Sequence, residues 1–113
     1  MRAVLVFKLV PAHDWQEAEV AGMFTGSPVD RRDGFIHFST AEQVHETAAR
    51  HFAGISGLLV VAVRTEGLAL RWEPSRAGAL FPHLYGDLPL AAVCWARPLE
   101  LGSDGRHVFP ELA

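Results

Sequence analysis

One lysine, Lys8, and one cysteine, Cys94, occur in the 113 residues, and neither the lysine nor the nine arginines form a basic run. A lone cysteine excludes a disulfide within the chain, which fits a reducing compartment and a cytoplasmic protein. Cys94 lies in the apolar run 91–96 and reads as a buried, inert thiol. Without a basic stripe, at net charge -3, the chain has no electrostatic footprint for nucleic acid or for a membrane surface. No apolar run approaches the roughly 20 residues of a spanning helix. The six histidines show no His-x-His pair and no His-x3-His with a third ligand, so there is no local metal spacing, although His37, His83 and Glu73 offer a non-local two-imidazole, one-carboxylate set.

What remains is an ordinary composition, half apolar and one-fifth charged, sufficient for one folded domain over 1–113. Residues 3–10 are rich in Val, Leu and Phe and predict a strand ended by Pro11. Asp14 to Ala21 predicts a short helix, with Asp14 as N-cap, Trp15 and Ala18 inward and Gly22 at the C-cap. Residues 22–33 hold turn formers and charges and read as a loop, followed by a strand at 35–39. Ala41 to Phe52 predicts a second helix, capped by Thr40 with Gln43 three residues on. Val44, Ala48, His51 and Phe52 mark its inner face, and Glu42, Glu46 and Arg50 its polar one. Leu58 to Val63 reads as a central strand and 68–72 as a further one. Residues 73–89 carry too many Pro and Gly breakers for a regular element, and 92–101 form the last core strand before a tail. The order of elements predicts an α+β domain with a strand-built second half.

Two segments carry side chains that perform chemistry. Asp33-Gly34-Phe35-Ile36-His37-Phe38-Ser39-Thr40 sets an imidazole among apolar neighbours, where its ring nitrogens require partners or a ligand. The segment from Arg71 to Tyr85 gathers aromatics, a carboxylate and guanidinium groups. There Trp72 and Tyr85 suit stacking on a planar ring, Arg76 suits a phosphate or carboxylate, and Glu73 or His83 suits base work or orienting a hydroxyl. Each has a plain structural alternative: Trp72 in the core, Glu73 paired with Arg76, His83 capping a carbonyl in a rigid turn. Lys8 either snorkels from a sheet edge or points into a cleft.

These two segments, 33–44 continued by Thr47-Ala48 and His51-Phe52, and Leu70 to Arg76 with Leu80 to Gly86, resemble the bacterial domain-of-unknown-function family 952. The likeness extends to the Phe7-Lys8 strand and the Trp15 helix. The resemblance implies an ADP-ribosylation-like fold: a split mixed β-sheet with two main helices in the N-terminal half. It further implies a cleft for an ADP-ribose or NAD-like nucleotide, with NAD as the cofactor to consider and a small molecule as partner. By position, Lys8 stands where such a fold carries a ligand-binding His or Arg, and Gly34, Phe35, Ser39 and Thr40 line the nicotinamide side. Glu73 is the late carboxylate. On this reading Glu73 and His37 are the catalytic candidates, and Lys8, Ser39, Thr40, Trp72, Arg76, His83 and Tyr85 the ligand-binding ones. The alternative is a non-catalytic binding module in which the same residues form a structural polar network.

Overall fold

The computed structural model describes residues 4–112, apart from the side chain of Arg76. Ala3, at the start of the expected first strand, lies outside the described residues. Strand β1 (Leu5–Pro11) leads directly into helix α1 (Ala12–Ala21). A two-residue strand β2 (Met23–Phe24), helix α2 (Pro28–Asp33), strand β3 (Ile36–His37) and helix α3 (Val44–His51) follow. The second half is built from strands: β4 (Leu58–Arg64), β5 (Leu70–Pro74), β6 (Leu80–Leu84), β7 (Leu88–Pro89), β8 (Val93–Leu101) and β9 (His107–Val108).

The expected central strand is central. β4 lies between β1 and β8 in a sheet of order β1-β4-β8-β9, and its Val60, Val61, Ala62 and Val63 are fully buried. Because successive side chains of a strand face opposite ways, β1 and β4 feed two cores. Val6, Val10, Val61 and Val63 join Trp15 and Ala18 of α1 on one face, whereas Phe7, Leu9, Val60 and Ala62 meet Val44 and Ala48 of α3 on the other. A second sheet has the order β3-β6-β5, and β2 pairs with β7. Residues 36–39 serve both main sheets. Ile36 and His37 pair with β6, while Ser39 exchanges backbone hydrogen bonds with Phe7 of β1 at 2.8 and 2.9 Å.

The α+β class holds, with five corrections of detail. All strand pairs among the described residues are antiparallel, so the sheet is not mixed. The chain has a third helix, α2, inside the expected loop: Ser27 Oγ accepts from the Asp30 N–H, Asp30 Oδ2 accepts from the Ser27 N–H, and Pro28 opens the helix. The breaker-rich region contains β6, whose Pro82 has no N–H to lose and whose carbonyl accepts from Phe38 N at 3.0 Å. Cys94 is exposed on β8, because the apolar run 91–96 is half turned to solvent rather than buried. α1 begins before Asp14, which sits in its first turn and makes no cap; Gly22 closes the helix as expected. Among the described residues no helix is long and apolar enough to cross a membrane.

Thr40 and Gln43 form the reciprocal pair read from the sequence, Thr40 N donating to Gln43 Oε1 at 3.0 Å and Gln43 N to Thr40 Oγ1 at 3.2 Å, but in the turn that leads into α3, which starts at Val44 rather than Ala41. Thr40→Ala removes one half of it and is expected to destabilise the domain by about 1 kcal/mol, a fall in Tm of roughly 4 °C by thermal denaturation. An unchanged Tm would show that the pair contributes nothing to holding α3.

Candidate functional site

A cleft of about 600 Å³ opens where residues 36–39 join the two sheets. One wall is built from Asp30. Pro28 and the Ser27 cap start α2 so that Asp30, its third residue, turns inward and is 2 % exposed. Its carboxylate takes Lys8 Nζ at 2.9 Å on each oxygen, His37 Nδ1 at 2.6 Å, His37 N at 3.1 Å and Ser27 N at 2.8 Å. Burial pushes the Asp30 carboxyl up, but the hydrogen bond from His37, the Lys8 charge and the Ser27 N–H together hold it far below the usual carboxylate range. Burial pulls the Lys8 ammonium down, against the opposing attraction of Asp30. Gly26 has to be glycine here. Its φ is +108°, and a Cβ would stand 2.9 Å from Asp30 Cβ.

His37 is held on both sides, since Nε2 lies 3.0 Å from Asp33 Oδ2 at the other end of α2. A carboxylate oxygen stands at hydrogen-bond distance from each ring nitrogen. The imidazole that the sequence leaves in need of partners thus finds them four and seven residues upstream.

The other wall comes from β6, with β5 paired behind it. Residues paired across an antiparallel ladder point to the same side, so the pairs His37 with His83, Arg71 with His83 and Glu73 with Phe81 place these side chains on one face. The His37 and His83 rings lie 5.4 Å apart between centroids. Phe35 stacks on His83 at 4.2 Å and 26°. Glu73 Oε1 accepts from His83 Nδ1 and from Tyr85 Oη, both at 2.8 Å. The bond from His83, then that from Tyr85, holds the Glu73 carboxyl below its ordinary range, and the same contact raises the Tyr85 phenol. Arg71 lies over the Tyr85 ring at 4.7 Å.

Of the residues singled out in the sequence, Lys8, His37, Ser39 and His83 line the cleft. Lys8 does so as a buried ion pair rather than as a free cation. Ser39 Oγ lies 2.9 Å from Thr47 Oγ1 on α3. Glu73 and Tyr85 stand behind His83 and do not form part of the wall. Thr40, paired with Gln43 in the turn before α3, lies outside it. Trp72 pairs with Pro82 on the opposite face of β5, is 45 % exposed, and is not brought to the cleft. The side chain of Arg76 lies outside the described residues, although the neighbouring Ser75 reaches the wall. His37, His83 and Glu73 do not make a ligand trio. The one such grouping among the described residues is His13, Asp14 and Glu17 on α1.

Sequence reasoning missed Asp30 and Asp33. The signal was present in Ser27-Pro28-Val29-Asp30, an N-cap followed by proline and by a carboxylate at the third helical position. Asp30→Asn leaves the Lys8 ammonium buried without a counter-charge and is expected to cost about 3–5 kcal/mol. Since the Asp30 carboxyl is depressed in the folded state, its contribution is complete above the unfolded value of about 3.9 and is lost as pH falls toward the folded one. Urea titrations of parent and Asp30→Asn should therefore show a gap in stability that narrows steadily from pH 5 to pH 2. A gap constant over that range would contradict the ion-pair account.

The model of the family described as protein of unknown function DUF952 matches residues 9–96. Protein CC0527 from Caulobacter crescentus, solved by X-ray crystallography, superposes with a TM-score of 0.87 at 44% sequence identity, covering 92% of this chain and 93% of that one. The solution NMR structure of CC0527 gives 0.82 at 45% identity, covering 90% of each chain. The comparison with curated proteins finds no match. The cleft residues from Leu9 to His83 fall inside the matched span, with Phe7 and Lys8 just before it, and this chain belongs to the DUF952 family.

Proposed function

We propose that the protein binds a nucleotide-type small molecule, of the ADP-ribose or NAD kind, in the cleft between α2 and the β3-β6-β5 sheet. One observation carries this reading: His83, backed by Glu73, borders a hollow of about 600 Å³, within the size range of small-molecule sites. Apolar side chains such as Leu9, Phe38 and Phe52 line the hollow alongside Ser39 and His37, a mixture that suits a flat ring with a sugar attached. The ADP-ribosylation-like fold implied by the family resemblance agrees with this ligand class. Arg76 remains the candidate for a phosphate.

The division of labour differs from that read in the sequence. His83, a ligand-binding candidate from the sequence, meets the ligand with Glu73 behind it rather than beside it, and His37, engaged by two carboxylates, shapes the wall instead of performing acid–base work. A second reading, a structural network without ligand, is favoured by the Lys8-Asp30-His37 cluster alone, whose polar groups satisfy one another.

Thermal-shift measurements with NAD, ADP-ribose and adenosine 5′-monophosphate separate the two. A ligand at 100 times its Kd should stabilise the parent by about 2.7 kcal/mol and raise Tm by roughly 10 °C, and His83→Gln should lose most of that rise. No shift with any of the three nucleotides would leave the structural network as the account of these residues.

A further inference from the structure

Glu73 sits where it cannot touch a ligand in the cleft directly. Its Oε1 is occupied by His83 Nδ1 and Tyr85 Oη, and the residue is not part of the wall. A carboxylate held ionised is acceptor-only, so the hydrogen shared with His83 belongs to Nδ1. Phe35, stacked on the imidazole at 4.2 Å, fixes the plane of the ring. Nε2 is then the ring nitrogen left for the cleft. No hydrogen bond among the described residues uses it, and no side-chain nitrogen or oxygen of the described part is both buried and without a partner, so solvent reaches Nε2.

The chemistry of that atom selects its partner. An anionic oxygen pairs with Nε2 only when the nitrogen is protonated, and an N–H donor only when it is bare. An alcohol donates and accepts, and it pairs with Nε2 in either state. The one lysine of the chain is already committed to Asp30 and is not available to hold an anion beside it. We infer that Glu73 and His83 form an alcohol-binding dyad, in which Nε2 of His83 takes a hydroxyl of the ligand and Glu73 is a positioning residue acting through the imidazole. Tyr85, donating to the same Glu73 oxygen, holds the carboxylate in place from the solvent side. The arrangement is that of a carboxylate behind a ligating histidine, fixing tautomer and ring orientation together. The inference rests on the cleft being a nucleotide site.

The test combines calorimetric titration of adenosine 5′-monophosphate and its 2′,3′-dideoxy analogue with ¹⁵N NMR of the imidazoles, on the parent and on Glu73→Gln. The parent should bind the ribose form about three- to tenfold more tightly, the size of one net hydrogen bond. Neutral His83 should carry its proton on Nδ1. Glu73→Gln should lose most of the preference and show mixed tautomers, a signature that loss of packing alone does not produce. Equal affinity of the parent for the two nucleotides overturns the alcohol assignment and leaves the nucleotide cleft intact. Failure of both to bind overturns the cleft reading together with the dyad. A neutral His83 protonated on Nε2 refutes the positioning role of Glu73, whatever binds.

Discussion

One carboxylate ties this fold together. Asp30 is buried on a helix of six residues, too short to be stable by itself, and accepts from a strand of one sheet, a strand of the other and its own helix cap. Lys8 comes from β1, His37 from β3 and Ser27 from the turn before α2. Each donor alone is a modest gain, and burying the charges is costly. The cluster persists because each polar group within it is paired, whereas removal of any member leaves another unpaired in a dry place.

That saturation divides the cleft in two. The α2 side is a finished network in which lysine, aspartate and histidine answer one another and present a shaped surface. The β6 side differs, because His83 borders the hollow with one ring nitrogen anchored by Glu73 and no hydrogen bond among the described residues at the other. The binding proposed above asks for both: pre-organised walls and a small number of directed polar groups. The junction at residues 36–39 makes the division possible, since a segment hydrogen-bonded to both β1 and β6 keeps the two walls in register.

Much of this was legible in the residues. The apolar runs gave β1 and the central β4, and the i, i+4 pattern with the Thr40-Gln43 pair gave α3, because these features report local physics that the fold leaves undisturbed. His37 drew attention for the same reason, a polar group in an apolar strand that requires partners, whereas Ser39 came from the family resemblance, His83 from a segment read as a loop, and Lys8 was left between the sheet edge and the cleft; all four line it. Other features were set by long-range pairing. Pro82 reads as a breaker, yet a strand tolerates it where the ladder asks nothing of its nitrogen. Trp72 reads as a stacking platform, yet the one-residue alternation of β5 turns it to the face opposite Glu73. Asp30 was hidden in a stretch whose glycines and charges resemble a loop, and its importance comes from partners 22 residues before it and seven after. Glu73 was recognised as a functional type, but its contact with His83 depends on the register between β5 and β6, which composition does not encode.

The claim that Asp30 locks α2 and β3 to the core is tested most directly by amide hydrogen exchange of His37 and Ser27. Their N–H groups donate to the Asp30 side chain, and their protection therefore reports on that carboxylate alone. On this account both amides exchange only through global unfolding, with protection equal to that of the β4 amides. Exchange of either at the rate of a locally fraying helix, orders of magnitude faster than β4, would show that the short helix opens independently and that Asp30 is not what holds the fold together.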